Sequence, residues 1–277
     1  MREYISIPEF IYLSLAVIAI SVYSLSLGKE PFQMMFFFLL YAVLRSRFIS
    51  NNMKFLSGVS VVILSSACFR TYYILIVIYA VVMFYLLKIY TGDGERRKAA
   101  ELYDEDGYIQ WRIIIRIFIA LILVYFFVLL LFYVVRPSLY IRFRNSLVSA
   151  SQQTRRSNSY IENILSINNR SQNVFTTWVE YIFVVFRLCF PVELAPLGPK
   201  YWPFIIYQCC CTWLMLKSLR RFQFNSAAQN SAMMLFVGFV FASASFEVDF
   251  GAWVRHCAVT LPMTLVMIGI CPTYSDT

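Results

Sequence analysis

The sequence predicts an all-α, polytopic membrane protein with about eight transmembrane helices, forming one domain over residues 1–277. Two observations lead to this fold class. Of the 277 residues, 60% are hydrophobic and only 14% are charged, whereas a soluble domain carries roughly 25% charged residues. The hydrophobic residues also fall into runs close to the ~20 residues that a helix needs to cross a bilayer. Most of the chain is therefore expected to lie in a membrane.

The first half of the chain contains five apolar runs. The first run lacks the basic start and small-residue cleavage site of a signal peptide, so we expect a retained helix. A polar loop over 91–112 separates the fourth run from the fifth and has the composition of a solvated cytoplasmic hairpin. The predicted helices of this half are 7–27, 31–49, 54–69, 71–90 and 113–135.

A long polar stretch, 136–200, separates these runs from three more predicted helices at 201–219, 227–245 and 253–271. Within it lies one apolar piece, Thr177 to Phe190, which carries Arg187 and is closed by Pro191. Because this piece is short and charged, we expect an interfacial or re-entrant helix rather than a span.

The basic residues of the short loops predict the orientation. With the N-terminus inside, the short outer connections hold only Lys29, Arg70 and Arg255, and most other short-loop bases face the cytoplasm. Basic residues in short loops stay on the cytoplasmic side, and loops longer than about 60 residues contribute little to this bias. Both termini are therefore predicted in the cytoplasm, loop 91–112 inside, and 136–200 on the extracytoplasmic side. The expected location is a bacterial inner membrane.

The net charge of +9 does not indicate nucleic acid as a partner. The bases lie in loops between apolar runs rather than on one soluble face, so membrane lipid is the expected partner. No spacing typical of a metal site, and no phosphate-binding loop or nucleophile elbow, occurs in the sequence. We therefore expect no metal and no cofactor.

Three segments distant in sequence converge on the outer face under this topology. They are FRTYY at 69–73, VFRLCFPVE at 185–193 and FEVDFGAWVRH at 246–256. Their ionisable residues are the candidate site residues: Arg70, Arg187, Glu193, Glu247, Asp249, Arg255 and His256.

The outer bases are mostly arginine. The planar guanidinium binds phosphate through two parallel hydrogen bonds, whereas lysine acts as a point charge. The pattern suits an anionic ligand such as a diphosphate, held by Arg70, Arg187 and Arg255. The alternative is that arginines at helix ends extend to lipid headgroups and serve only as anchors.

The acids and the single histidine beside these arginines are the candidates for proton transfer. Glu193, Glu247 and Asp249 are carboxylates of the kind that acts as a general base, and His256 directly follows Arg255. For His256, a structural hydrogen-bonding role is the alternative.

The same three segments resemble those of bacterial O-antigen and exopolysaccharide polymerase-like membrane proteins. VFRLCFPVE is similar to a Phe-Arg-Pro-Phe-Pro-Trp-Glu type segment of that group, although Leu188 and Val192 stand where proline and tryptophan are usual. FEVDFGAWVRH, followed by a helix with proline, resembles their C-terminal segment, and FRTYY resembles a short Arg-Tyr entry into a helix.

The resemblance implies an enzyme that joins oligosaccharide units carried on a lipid diphosphate during surface polysaccharide biosynthesis. Arg70, Arg187 and Arg255 would then bind the diphosphate, and Glu193, Glu247, Asp249 and His256 would be catalytic candidates on the acceptor side. It also implies polysaccharide-assembly proteins as candidate partners. Two alternatives stay open: a non-catalytic membrane partner, such as an assembly or phage-exclusion factor, and a transporter of lipid-linked glycans.

Overall fold

The computed structural model describes residues 5–24, 30–68, 71–91, 108–138, 140–142, 145, 173–247 and 249–269. Within these ranges the chain forms ten α-helices with described bounds, four short 3₁₀ helices and further helical residues at 137–138, 140–142 and 145, and no β-strand. The prediction of an all-α fold is confirmed for the described residues. Arg70, most of loop 91–112 and much of 136–172 lie outside them.

The helices follow the apolar runs of the sequence closely. Their bounds are α1 Ile7–Ser24, α2 Glu30–Arg45, α3 Asn51–Cys68, α4 Ile74–Thr91, α5 Trp111–Val135, α6 Val174–Cys189, α7 Trp202–Arg220, α8 Ala227–Ser243, α9 Phe250–Val259 and α10 Leu261–Ile268. The 3₁₀ helices are Thr71–Tyr73, Val192–Leu197, Pro199–Tyr201 and Phe222–Phe224.

The last predicted helix differs from the structure. In place of one helix over 253–271, α9 and α10 meet at Thr260 with a bend of 62°. Pro262 lies in the first turn of α10. Proline has no N–H to continue the hydrogen bonds of α9, and its ring collides with the preceding turn of a continuous helix. The chain therefore begins a new helix in a new direction.

Helix α8 forms the centre of the bundle. All its residues from Ser231 to Ser243 are buried, and α2, α3, α4, α7 and α10 pack around it. The closest approach is to α4 at Gly238, where an added Cβ would lie 2.6 Å from the carbonyl oxygen of Ile76. The absence of a side chain at this glycine lets the two backbones touch.

Helices α5 and α6 pack against this centre through polar groups. The indole Nε1 of Trp178 donates to the carbonyl oxygen of Ile122 at 3.0 Å. The Tyr181 hydroxyl lies 3.0 Å from the Tyr79 hydroxyl and donates to the carbonyl oxygen of Phe241 at 2.9 Å. The predicted apolar piece 177–190 is thus a helix joined to α4, α5 and α8.

By length and composition, one described helix, α5, is able to cross a membrane, and the bent pair α9–α10 would be a second if it forms one span. Four other apolar helical stretches in the described ranges are 10–17 residues long: Ile7–Ser21, Pro31–Arg45, Ile74–Tyr90 and Ala227–Ser243. The prediction of about eight spans is therefore not confirmed by helix length and stays a prediction.

Candidate functional site

Two of the candidate residues form an ion pair where α6 ends. Arg187 lies in the last turn of α6, and Glu193 lies in the 3₁₀ helix that follows Pro191. The Arg187 Nε donates to both carboxylate oxygens of Glu193, at 2.8 and 2.6 Å. Because Pro191 ends the helix, the chain turns back and brings a residue six positions away onto the guanidinium. The Glu193 side chain is 36% exposed and that of Arg187 17%, so the pair lies at the surface with Glu193 as its more accessible partner.

Two more candidates form a second pair at the turn between α8 and α9. His256 Nδ1 is hydrogen bonded to the carboxylate of Glu247, and both side chains are buried. A carboxylate that accepts from Nδ1 fixes the imidazole tautomer and leaves Nε2 as the proton-accepting nitrogen. The geometry makes Glu247 a positioning group for His256.

Asp249 has a structural role in this turn. Its Oδ1 accepts a hydrogen bond from the N–H of Gly251 at 3.2 Å, which caps the N-terminus of α9. Aspartate is a preferred residue at this position because it satisfies an N–H group that the helix leaves without a partner. Arg255 lies on the same helix and is half-buried.

Aromatic rings connect the turn between α8 and α9 to the start of α4. The Tyr72 ring stacks on that of Phe246 with centroids 4.3 Å apart. Trp253 stacks on Phe239 at 5.6 Å, and Tyr73 meets the same Phe239 ring at 6.5 Å. The segment that follows Arg70 is thus in contact with the segment that holds Glu247 and His256.

An apolar groove of about 370 Å³ lies between the end of the 185–193 segment and the 246–256 segment. It runs between α1, the start of α7 and α9, with Leu194 on one side and Phe250 on the other. Lys200 is the basic residue among its described lining residues. Leu194 directly follows Glu193, and Phe250 directly follows Asp249. The groove therefore lies beside two of the candidate segments, at what we call the outer end of the bundle.

The structure thus places the described parts of the three segments at one end of the helices. It pairs Arg187 with Glu193 and Glu247 with His256, and it gives Asp249 a capping role. Arg70 lies outside the described residues. Within the described ranges, no group of three or more His, Cys, Asp or Glu side chains is arranged to hold a metal ion.

Sequence reasoning missed a third ionic pair, between Glu9 and Lys217. The Glu9 side chain is 1% exposed, and Lys217 Nζ donates to its Oε1 at 3.1 Å. An acid inside an apolar helix is costly unless it is paired or faces water. The presence of Glu9 in α1 was therefore the sequence feature that indicated a basic partner. Its partner lies 208 positions further along the chain, and nothing in the sequence links the two.

Comparison of the chain with protein-family models, with curated proteins and with solved structures finds no match.

Proposed function

We propose that this protein is a polytopic inner-membrane glycosyltransferase of the polymerase type, which joins oligosaccharide units carried on a lipid diphosphate. The proposal includes about eight membrane passes, with both termini in the cytoplasm and the candidate site on the extracytoplasmic side. The observation that carries it is the accessible Arg187–Glu193 pair beside an apolar groove.

A membrane setting is supported by the apolar surface of the described helices. On α5, Ile115, Ile119 and Phe127 are each more than half exposed, while Ile117, Leu121 and Tyr125 on the opposite face are buried. Apolar patches of this extent are rare on soluble monomers. A bilayer would cover this surface without a partner protein.

The α6 region suits a re-entrant helix. It carries Arg187 in its last turn, and a charged residue within a membrane span is costly unless it is paired or faces water. The Thr212 hydroxyl, in the middle of α7, donates to the carbonyl oxygen of Cys189 at 2.8 Å. The chain then returns to Trp202 at the start of α7, and this path places Leu194, the residue after Glu193, in the wall of the groove.

The groove and the ion pair together suit a lipid diphosphate. The apolar walls formed by Leu15, Ile18 and Phe204 match a hydrocarbon chain. The Nε–H of Arg187 is shared by both Glu193 carboxylate oxygens, and its planar guanidinium is the type of donor group that binds phosphate. In the proposed mechanism the donor diphosphate takes the place of Glu193 on Arg187 and frees the carboxylate. Arg70 and Arg255 are the other proposed diphosphate ligands.

The proposed reaction needs a base and charge stabilisation. The hydroxyl of the acceptor sugar attacks the anomeric carbon of the donor, and its proton passes to Glu193 or to His256 Nε2. The new C–O bond forms as the bond from the anomeric carbon to the diphosphate breaks, and the electron pair leaves with the diphosphate. Fixed positive groups that meet this developing charge are usually the largest catalytic contribution.

A second candidate function is that of a non-catalytic membrane partner in polysaccharide assembly. It is favoured by the observation that Glu193 and Glu247 are each already bonded to a basic side chain of the same protein. Pairs of this kind also stabilise a bundle without any chemistry.

The test of the proposal combines donor binding with polymer length in cells. A strain that lacks the gene should make short polysaccharide chains, and the wild-type gene should restore long ones. Arg187→Lys should fail to restore length nearly as fully as Arg187→Ala, because lysine keeps the charge but loses the planar fork. Arg116→Lys is the matched control, since Arg116 lies exposed on α5, outside the candidate segments, and it should behave as the wild type.

Glu193→Gln separates binding from chemistry. The purified variant should still bind a lipid-diphosphate oligosaccharide, because Arg187 remains, while the rate of chain growth should fall roughly 100-fold or more if Glu193 is the base. Polysaccharide of normal chain length in the deletion strain would overturn the proposal. Full activity of Arg187→Lys would show that Arg187 has only a structural role.

A further inference from the structure

A second cavity, of about 460 Å³, lies at the end of the bundle opposite to the candidate site. The described residues that line it include the bases Arg45, Lys217 and Arg221 and the acid Glu9. They come from the ends of α2 and α7 and the start of α1. We call this cavity the inner cleft, because the predicted orientation turns it toward the cytoplasm.

The acid in the inner cleft is tightly held by the protein. Glu9 accepts from Lys217 Nζ at 3.1 Å through Oε1 and from the N–H of Ser6 at 2.9 Å through Oε2. Among the described lining residues, three bases stand against one acid. Charge of one sign gathered in a cleft attracts counter-ions more strongly than the same charge on an open surface.

The floor of the inner cleft is polar and fixed by its own hydrogen bonds. Ser226 and Gln229 form a capping box at the start of α8, with reciprocal side-chain to main-chain bonds of 3.3 and 2.8 Å. The Asn225 amide donates to the carbonyl oxygen of Ser218 at 2.9 Å. The N-terminus of α8, which carries a partial positive charge, thus opens on the same cavity as the bases.

A neighbouring cavity of about 450 Å³ shares Lys217 and Arg221 with the inner cleft. We call it the aromatic shelf, because Trp111 and Trp213 line it. Lys217 Nζ lies 4.6 Å from the ring centre of Trp213, and the Arg220 guanidinium carbon lies 5.1 Å from that of Trp111. Both tryptophans are about half exposed. Tryptophan beside arginine and lysine at a helix end is typical of the boundary between membrane and water.

We propose that the inner cleft binds the phosphate headgroup of an anionic phospholipid, with the acyl chains leaving along the aromatic shelf. Its volume lies within the usual range for small-molecule sites, roughly 300 to 1,000 Å³. Basic pockets between helices on the cytoplasmic side are suited to such headgroups. The exposed rings and the apolar helix surfaces beside the bases favour a lipid over a free anion. This site needs the bundle to lie in a membrane, but it does not depend on polymerase activity.

The test measures lipid retention by the detergent-purified full-length protein with native mass spectrometry. Phosphatidylglycerol and phosphatidylcholine with identical acyl chains are the two probes. The wild type should bind phosphatidylglycerol more tightly. Arg221→Gln and Arg45→Gln should each weaken that binding about fivefold, the effect of one base near an anionic surface, and should leave phosphatidylcholine binding unchanged.

Lys88→Gln is the matched control, because Lys88 is exposed at the same end of the bundle, on α4, and does not line the cleft. It should bind phosphatidylglycerol as the wild type does. Equal binding of the two lipids, or an equal loss in Lys88→Gln, would overturn the proposal. Displacement of the lipid by millimolar inorganic phosphate would also overturn it in favour of a soluble anion. Thermal unfolding in the absence of lipid shows whether each variant folds. If Arg221→Gln or Arg45→Gln does not fold, lipid binding by the other of these two variants decides the test.

Discussion

Replacing Gly238 by alanine tests the packing that positions the candidate site. A Cβ at this position would lie 2.6 Å from the carbonyl oxygen of Ile76 and 3.3 Å from the nitrogen of Ala80, both backbone atoms of α4. Ordinary contact begins near 3.4 Å, so α4 and α8 would have to separate by about 0.8 Å at this point. Overpacking costs about 1–3 kcal/mol, and about 2–3 kcal/mol is expected here because the atoms that the Cβ meets belong to the backbone. The better helix propensity of alanine offsets about 1 kcal/mol of this cost.

The expected result is a net loss of about 1–2 kcal/mol in the free energy of unfolding. At roughly 2–4 °C per kcal/mol, Gly238→Ala should lower the Tm of the detergent-purified protein by about 2 to 8 °C. The Tm is measured as the loss of the monodisperse peak in size-exclusion chromatography after heating.

Gly58→Ala is the matched control for this experiment. Its added Cβ would meet the Cδ1 atom of Leu235 at 2.9 Å, which is the end of a flexible side chain and can rotate away. The propensity gain of alanine should offset most of the cost, so the Tm should change by less than about 2 °C. If Gly238→Ala is as stable as Gly58→Ala, the backbones of α4 and α8 are not in contact and this account of the core is wrong.

Two further predictions test the orientation and the buried hydroxyl network. Ala195 at the outer end and Ser50 between α2 and α3 are both exposed. In a cysteine-free background, an impermeant thiol reagent applied to intact cells should label Ala195→Cys and not Ser50→Cys. The reverse labelling pattern would show that the predicted orientation is wrong. Tyr181→Phe removes the contact with the Tyr79 hydroxyl at 3.0 Å and should lower the Tm by several degrees, because a buried polar group left without its partner costs about 1–3 kcal/mol. Tyr85→Phe, at a site 58% exposed, should leave the Tm unchanged, and an equal effect of the two variants would exclude a role for the buried hydroxyl.

Eight of the ten described helices have 16 to 25 residues, and they were predictable because long apolar runs separated by polar residues leave few alternatives to helix. The bend at Thr260 was missed, although Pro262 stood in the sequence. A proline in an apolar run permits either a kink or a new helix, and packing against α1 and α2 rather than local sequence decides the direction.

The candidate site was predictable only as a set of segments. The positive-inside bias predicted that three charged segments share one end, and the contacts of Tyr72 with Phe246 fit that prediction. The pairing of Arg187 with Glu193 depends on the turn at Pro191, and the bond between Glu247 and His256 depends on the angle between α8 and α9. Neither follows from spacing, because each joins side chains across a break in the helix.

The most direct measurement of the central claim is chain growth by the purified protein alone. The wild type in detergent, given a lipid-diphosphate oligosaccharide without nucleotide sugar or added divalent metal, should yield products longer by whole repeat units, resolved by mass spectrometry. Glu193→Gln, tested in parallel, should bind the donor and lengthen it roughly 100-fold more slowly or worse. If the wild type binds the donor but never lengthens it, the protein is not the polymerase, and the role of a non-catalytic assembly partner replaces it.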